Sequence, residues 1–105
     1  MQNFEGRVAV ITGSAGGIGL GIAQRAAKEG MKVVLADVEE ALLGRAAETV
    51  KAAGATEVVT VKTDVSSYDS VETLANKAFD TFGEVNLLCN NAGVTTTIVR
   101  PVWEQ

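Results

Sequence analysis

Residues 8–23 read VAVITGSAGGIGLGIA, with five glycines in nine positions directly behind a run of β-branched and small apolar residues. The stretch Arg7–Thr12 is a short apolar run ended by glycine, as expected of a strand buried on both faces. After the glycines, Ile18, Ile22 and Ala26 recur every four residues, which predicts a helix with that stripe inward and Gly30 as its stop. A glycine cluster between strand and helix lets the chain turn sharply and lets a ligand reach the peptide groups without interference from Cβ atoms. The helix's first N–H groups and the positive end of its dipole then face an anion, and a pyrophosphate fits such a place. The competing use is close packing of the helix on the strand, and the glycines alone leave both open.

The same alternation continues. Lys32–Asp37 repeats the strand signal, and Leu42, Leu43, Ala46, Ala47, Val50 and Ala53 follow at helical spacing before Gly54. Glu57–Asp64 predicts a third strand. Ser66 is placed to cap a third helix carrying Val71, Leu74, Ala75, Ala78, Phe79 and Phe82, stopped by Gly83. Val85–Asn90 predicts a fourth strand. Strands alternating with helices of this length imply right-handed crossovers and a parallel sheet, so the unit is β-α-β-α-β-α-β in the α/β class. The last dozen residues, VTTTIVRPVWEQ, show no clear period, and Pro101 biases Arg100 away from helix.

Composition narrows the function. The 105 residues give room for one domain, 47% hydrophobic and 21% charged. A net charge of −4 with scattered lysines and arginines offers no basic stripe for a nucleic-acid backbone. No apolar run approaches the ~18 residues of a membrane span, and MQNFEGR lacks the plan of a signal peptide, which suggests a cytoplasmic protein. Cys89 is the only cysteine and histidine is absent, so neither a disulfide framework nor the usual zinc or haem ligand sets can be built, and no metal is expected. Cys89 reads as a small buried hydrophobe.

The glycines are spaced T-G-x-x-x-G-x-G from Thr12 to Gly19, and Asp37 stands about 20 residues on at the end of strand two. There a carboxylate can accept hydrogen bonds from both hydroxyls of an adenosine ribose. It would repel a 2′-phosphate, and Val38 beside it carries no positive charge to offset this, so NAD is favoured over NADP. The competing role for Asp37 is a helix cap ahead of Glu39 and Glu40. With Asp64-Val65 after strand three and Asn90-Asn91-Ala92-Gly93 after strand four, the chain resembles the amino-terminal portion of the short-chain dehydrogenase/reductase family over nearly its whole length.

That resemblance implies a Rossmann-type doubly wound sheet of order 3-2-1-4, with helices one and two on one face, helix three on the other, and strand four an open edge. It assigns Gly13, Ser14, Gly17, Ile18 and Gly19 to the pyrophosphate and adjoining ribose, and Asp37 to the adenosine ribose. Asp64 and the Val65 N–H would meet the adenine edge, while Asn90, Ala92 and Gly93 would line the cofactor groove and Asn91 would brace the sheet. A turn or capping role for Asp64 is the alternative.

The family's hydride transfer is supported by a Tyr-x-x-x-Lys pair and a serine, and none of these is matched here. The only tyrosine is Tyr68, followed four residues on by Glu72, whose charge would raise a phenol pKa; Tyr68 reads instead as an early residue of helix three. No catalytic residue is therefore assigned. The expectation is that residues 1–105 are the dinucleotide-binding part of a single Rossmann domain, cut before its catalytic half. The parent would be a homo-oligomeric oxidoreductase acting on an alcohol or ketone, and the isolated piece would be prone to self-association through its open edge. The alternatives are a non-catalytic NAD or adenine-nucleotide binding module and an inactive remnant.

Overall fold

The computed structural model describes residues 5–64, 66–90 and 95–98, with the backbone alone for Asn90 and 95–98. In chain order the elements are β1 (Val8–Thr12), α1 (Gly17–Lys28), β2 (Lys32–Asp37), α2 (Glu40–Ala53), β3 (Val58–Lys62), α3 (Tyr68–Phe82), β4 (Leu87–Asn90) and β5 (Thr95–Ile98). They form one sheet of order β3-β2-β1-β4-β5. The first four strands are parallel, with Thr12 opposite Ala36 on one side and Asn90 on the other. The expected α/β architecture and the order 3-2-1-4 are therefore present.

Every residue of β1 is buried, and alternate residues serve opposite faces. Ala9 and Ile11 join Val33, Leu35 and Cys89 beneath α1 and α2, in a core completed by Leu43, Ala46 and Val50 of α2. Val8 and Val10 join Val34 and Ala36 beneath α3, with Leu74, Ala78 and Val85. Cys89 is 2% exposed, the small buried hydrophobe anticipated from the sequence. Leu35 and Leu43 are each essentially fully buried, worth about 1.5–3 kcal/mol apiece in surface removed from water.

Three expectations need correction. The inward face of α1 is Gly19, Ala23, Ala26 and Ala27, while Ile18 is 72% exposed. The helix sits so close to the sheet that its smallest residues face it; of the expected stripe Ala26 is buried and Ile22 packs partly buried against the core, and it is Ile18 that turns outward. Helix three is capped by Ser67, whose hydroxyl accepts the Ser70 N–H, and Ser66 instead serves the preceding turn. Strand four is not an edge among the described residues, because β5 pairs with it antiparallel, Leu87 opposite Ile98 and Asn90 opposite Thr95. The N–H and C=O groups along β4 make that side of the sheet a template for another strand, whatever the local period of the added segment.

Asn86 was not singled out by sequence reasoning, yet it fastens β4 in place. Its Oδ1 accepts the Val8 N–H at 2.8 Å, its own N–H donates to the Val8 carbonyl at 2.9 Å, and Nδ2 donates to Glu84. The side chain thus satisfies a buried donor at the start of β1, beyond the last backbone pair of the β1–β4 ladder.

Candidate functional site

From β1 the chain steps sideways to β2 and then β3, and afterwards crosses back over β1 to lay down β4. Connections therefore leave β1 and β4 in opposite directions, and a crevice opens between them at the carboxyl ends of the strands. The glycine stretch begins at that point, directly after Thr12. The Thr12 hydroxyl donates to the Cys89 carbonyl at 3.3 Å, closing the floor between the two strands.

The glycines divide into distinct tasks. Gly17 opens α1 with φ of 59°, a left-handed conformation that a side chain would strain, and space around its missing Cβ is empty. Gly16, in the N-cap position, is extended, and nothing lies within 4 Å of where its Cβ would be. Gly19 differs: a Cβ there would run into the Gly13 carbonyl, so its role is the close seating of α1 on the end of β1. Both uses left open by the sequence are thus realised, on different glycines. α1 also receives no side-chain cap and has no acidic residue in its first turn. Its first turn is thus left without a side-chain acceptor beside the open Gly16 and Gly17, the condition for an anion-accepting helix terminus.

Ser14 turns away from this opening. It is fully buried, and its hydroxyl exchanges hydrogen bonds with the Ala36 backbone, accepting the N–H at 3.0 Å and donating to the carbonyl at 3.3 Å. Asp37, at the end of β2, accepts the Ala15 N–H on Oδ2 at 3.0 Å and the Glu39 N–H on Oδ1 at 3.1 Å. α2 starts with Glu39 in the cap position and no side-chain cap, so Asp37 does not act as that helix's N-cap. Ala15 enters the site through its backbone alone, and no side-chain signal could have marked it. Ile18 stands exposed at the start of α1 beside the opening.

Asp64 lies two residues beyond β3, on the same carboxyl edge of the sheet. Its Oδ1 accepts both the hydroxyl (2.6 Å) and the N–H (2.9 Å) of Ser66, and its own N–H donates to the Ser70 hydroxyl. The Ser66 hydroxyl, and after it the Ser66 N–H, hold the exposed Asp64 carboxyl below its ordinary value. Asp64 therefore organises the turn into α3, as the turn-forming alternative anticipated. Asn90 ends β4 opposite Thr12, at the floor of the crevice. Val65, Asn91, Ala92 and Gly93 lie outside the described residues.

Comparison with known proteins agrees with this geometry. Residues 7–104 match the short chain dehydrogenase family. Over 103 residues the chain is 47% identical to 1-deoxy-11-beta-hydroxypentalenate dehydrogenase of Streptomyces arenae, covering 98% of this chain and 36% of that protein. Among solved structures, a short chain dehydrogenase/reductase from Burkholderia phymatum in complex with NAD superposes with a TM-score of 0.78 at 51% identity, covering 84% of this chain and 31% of the other. L-sorbose reductase from Gluconobacter frateurii, complexed with NADPH and L-sorbose, gives 0.77 at 36% identity, covering 83% and 34%. The chain belongs to the short-chain dehydrogenase/reductase family. It spans about a third of the length of these relatives.

Proposed function

We propose that residues 1–105 form the amino-terminal, dinucleotide-binding part of one Rossmann-type domain, in an oxidoreductase that moves hydride between NAD and an alcohol or ketone. The observation that carries this reading is the pairing of an uncapped, acid-free glycine entry to α1 with the Asp37 carboxylate at the neighbouring strand end. The residues present fit such a cofactor, since a Cβ at Gly16 or Gly17 would project into the open space where the pyrophosphate would lie.

In this reading the first turn of α1 offsets the pyrophosphate charge through its N–H groups and dipole. Asp37 accepts the adenosine ribose hydroxyls and disfavours a 2′-phosphate by charge repulsion. Relatives are known with either cofactor form, NAD in one and NADPH in the other; the negative charge of Asp37 next to uncharged Val38 supports NAD. Family resemblance would assign Asp64 and Asn90, together with Val65, Ala92 and Gly93, to the adenine and groove sides, and Asn91 to a bracing role. Bound there, the dinucleotide supplies the hydride-carrying nicotinamide. The chain's part is position and electrostatics. Tyr68 is 77% exposed at the first position of α3, and no acid–base role is assigned to it.

The proposed setting is the cytoplasm, where a lone thiol such as Cys89 stays reduced. No helix among the described residues is long and apolar enough to cross a membrane. The proposed partners are the dinucleotide, a small alcohol or ketone, and further copies of the same protein.

Titration of the chain with NADH and NADPH, followed by nicotinamide fluorescence, tests the reading. A preference of at least about tenfold for NADH, or about 1.4 kcal/mol, is expected. Equal affinity would remove the NAD assignment, and absence of binding to either would remove the cofactor site.

A further inference from the structure

The backbone ladder between β1 and β2 ends at Thr12 opposite Ala36. At Gly13, with φ of 65°, the chain turns out of the strand, yet the attachment to β2 does not stop there. Ser14 continues it with three hydrogen bonds to Ala36, its N–H donating to the carbonyl at 3.3 Å and its hydroxyl bonding both peptide groups. One residue further, the Ala15 N–H is held by Asp37 Oδ2. Two successive loop residues are thus anchored to two successive residues of β2. Beyond them come Gly16 and Gly17, whose surroundings are open.

We infer that Asp37 is a positioning residue for the glycine stretch as well as a ribose acceptor, so that the groups meeting the pyrophosphate are held in shape by the carboxylate that reads the ribose. The inference rests on the dinucleotide reading above. Hydrogen bonds to an ionised acceptor are the stronger kind, and this carboxylate spans the entries to both α1 and α2 through Ala15 and Glu39. Each carboxylate oxygen keeps a second lone pair, so a hydroxyl can be accepted without releasing either N–H. Without Asp37 the last fixed point before α1 retreats to Ser14, and the Ala15-Gly16 link between it and the helix, where the Gly16 carbonyl accepts the Leu20 N–H at 3.3 Å, regains conformational freedom, which glycine has in the greatest measure. Any phosphate-bearing ligand would then have to order the loop on binding.

The consequence separates two roles that a single affinity measurement would merge. In the ligand-free chain, amide hydrogen exchange at Ala15 is expected to rise at least tenfold in Asp37→Ala, with Val10 and Val34 in the strands unchanged. Asp37→Asn, which has one oxygen for two N–H donors, is expected to fall between. A dinucleotide built on 2′,3′-dideoxyadenosine, lacking the ribose hydroxyls, is expected to bind Asp37→Ala at least fivefold more weakly than the unsubstituted chain. Unaltered Ala15 exchange in both variants, or unaltered affinity for the dideoxy dinucleotide, overturns the positioning role. Should Val10 and Val34 also exchange faster in Asp37→Ala, the structure has loosened as a whole, and Asp37→Asn is judged by the same criteria. If the unsubstituted chain binds no NADH, the cofactor reading fails separately, while the exchange experiment still decides whether Asp37 holds the loop.

Discussion

Helices α1 and α3 both start at the carboxyl edge of the sheet, and they start in opposite ways. α3 is closed by its own sequence: the Ser67 hydroxyl accepts the Ser70 N–H, Asp69 lies in the first turn, and Asp64, Ser66 and Ser70 knit the preceding turn. α1 has none of this, only Gly16 and Gly17 with empty space around them. Leaving a helix terminus without partners forfeits the roughly 0.5–2 kcal/mol that a cap contributes. Such a terminus is reasonable where an external anion takes the cap's place, and the contrast singles out α1 over α3 as the entry proposed to receive it.

The contrast can be broken most severely at Gly19. Gly19→Ala puts a methyl group against the Gly13 carbonyl, so α1 must shift; a loss of about 1–3 kcal/mol in denaturant unfolding is expected, together with loss of NADH binding. Unchanged binding would mean that the seating of α1 does not shape the site. Converting α1 toward the α3 pattern is the next step. Gly16 is extended and unobstructed, so Gly16→Asp should install a cap, raising stability by up to about 1 kcal/mol while abolishing dinucleotide binding through charge and occupancy. Retained NADH affinity in that variant would place the anion elsewhere.

The reverse change makes α3 resemble α1. Ser67→Ala should cost about 0.5–2 kcal/mol on thermal or denaturant unfolding and leave NADH affinity within twofold, because that cap faces its own helix. A tenfold loss of affinity would tie α3's entry to the site directly. The smallest effect concerns pH. With its carboxyl held low by Ser66, Asp64 contributes stability that is complete above the unfolded value of about 3.9 and is lost as pH falls through the lower folded value. Ser66→Ala should raise the Asp64 pKa toward the ordinary range, measurable by carboxyl carbon NMR. A Ser66→Ala chain that still titrates at the low value would assign the shift to another neighbour.

A second contrast lies between the two faces of the sheet. Among the described residues one carries α1 and α2, while the other carries α3 and keeps an apolar groove of about 140 Å³ lined by Val10, Val71, Leu74, Ala75, Ala78 and Phe79 among others. Nothing among the described residues fills it. The face better covered among the described residues is the one that carries α1, so the proposed site lies beside the more completely packed of the two cores.

Much of this was legible because the signals are local. Runs such as VAVIT and KVVLAD are buried on both faces and read as strands without knowledge of their neighbours, and Lys32–Asp37 is β2 to the residue. The glycine spacing and Asp37 were singled out for the proposed site, since turn geometry and a strand-end carboxylate are properties of short segments. What escaped depends on contacts between distant segments. The inward face of α1 could not be chosen by counting apolar residues, because close approach to β1 selects Gly19 and Ala23 over Ile18. Ser66 and Ser67 are adjacent and alike, and only the path of the chain from β3 decides which one caps α3. β5 has no period of its own and takes its conformation from the hydrogen-bonding groups along β4. Likewise Ala15 matters only for its N–H, which any residue but proline carries, and its partner Asp37 lies 22 residues away. Sequence alone thus determined the order of elements and the chemistry available at their ends. Tertiary packing decided which groups meet, because a backbone donor or a helix face acquires its meaning from what the fold brings against it.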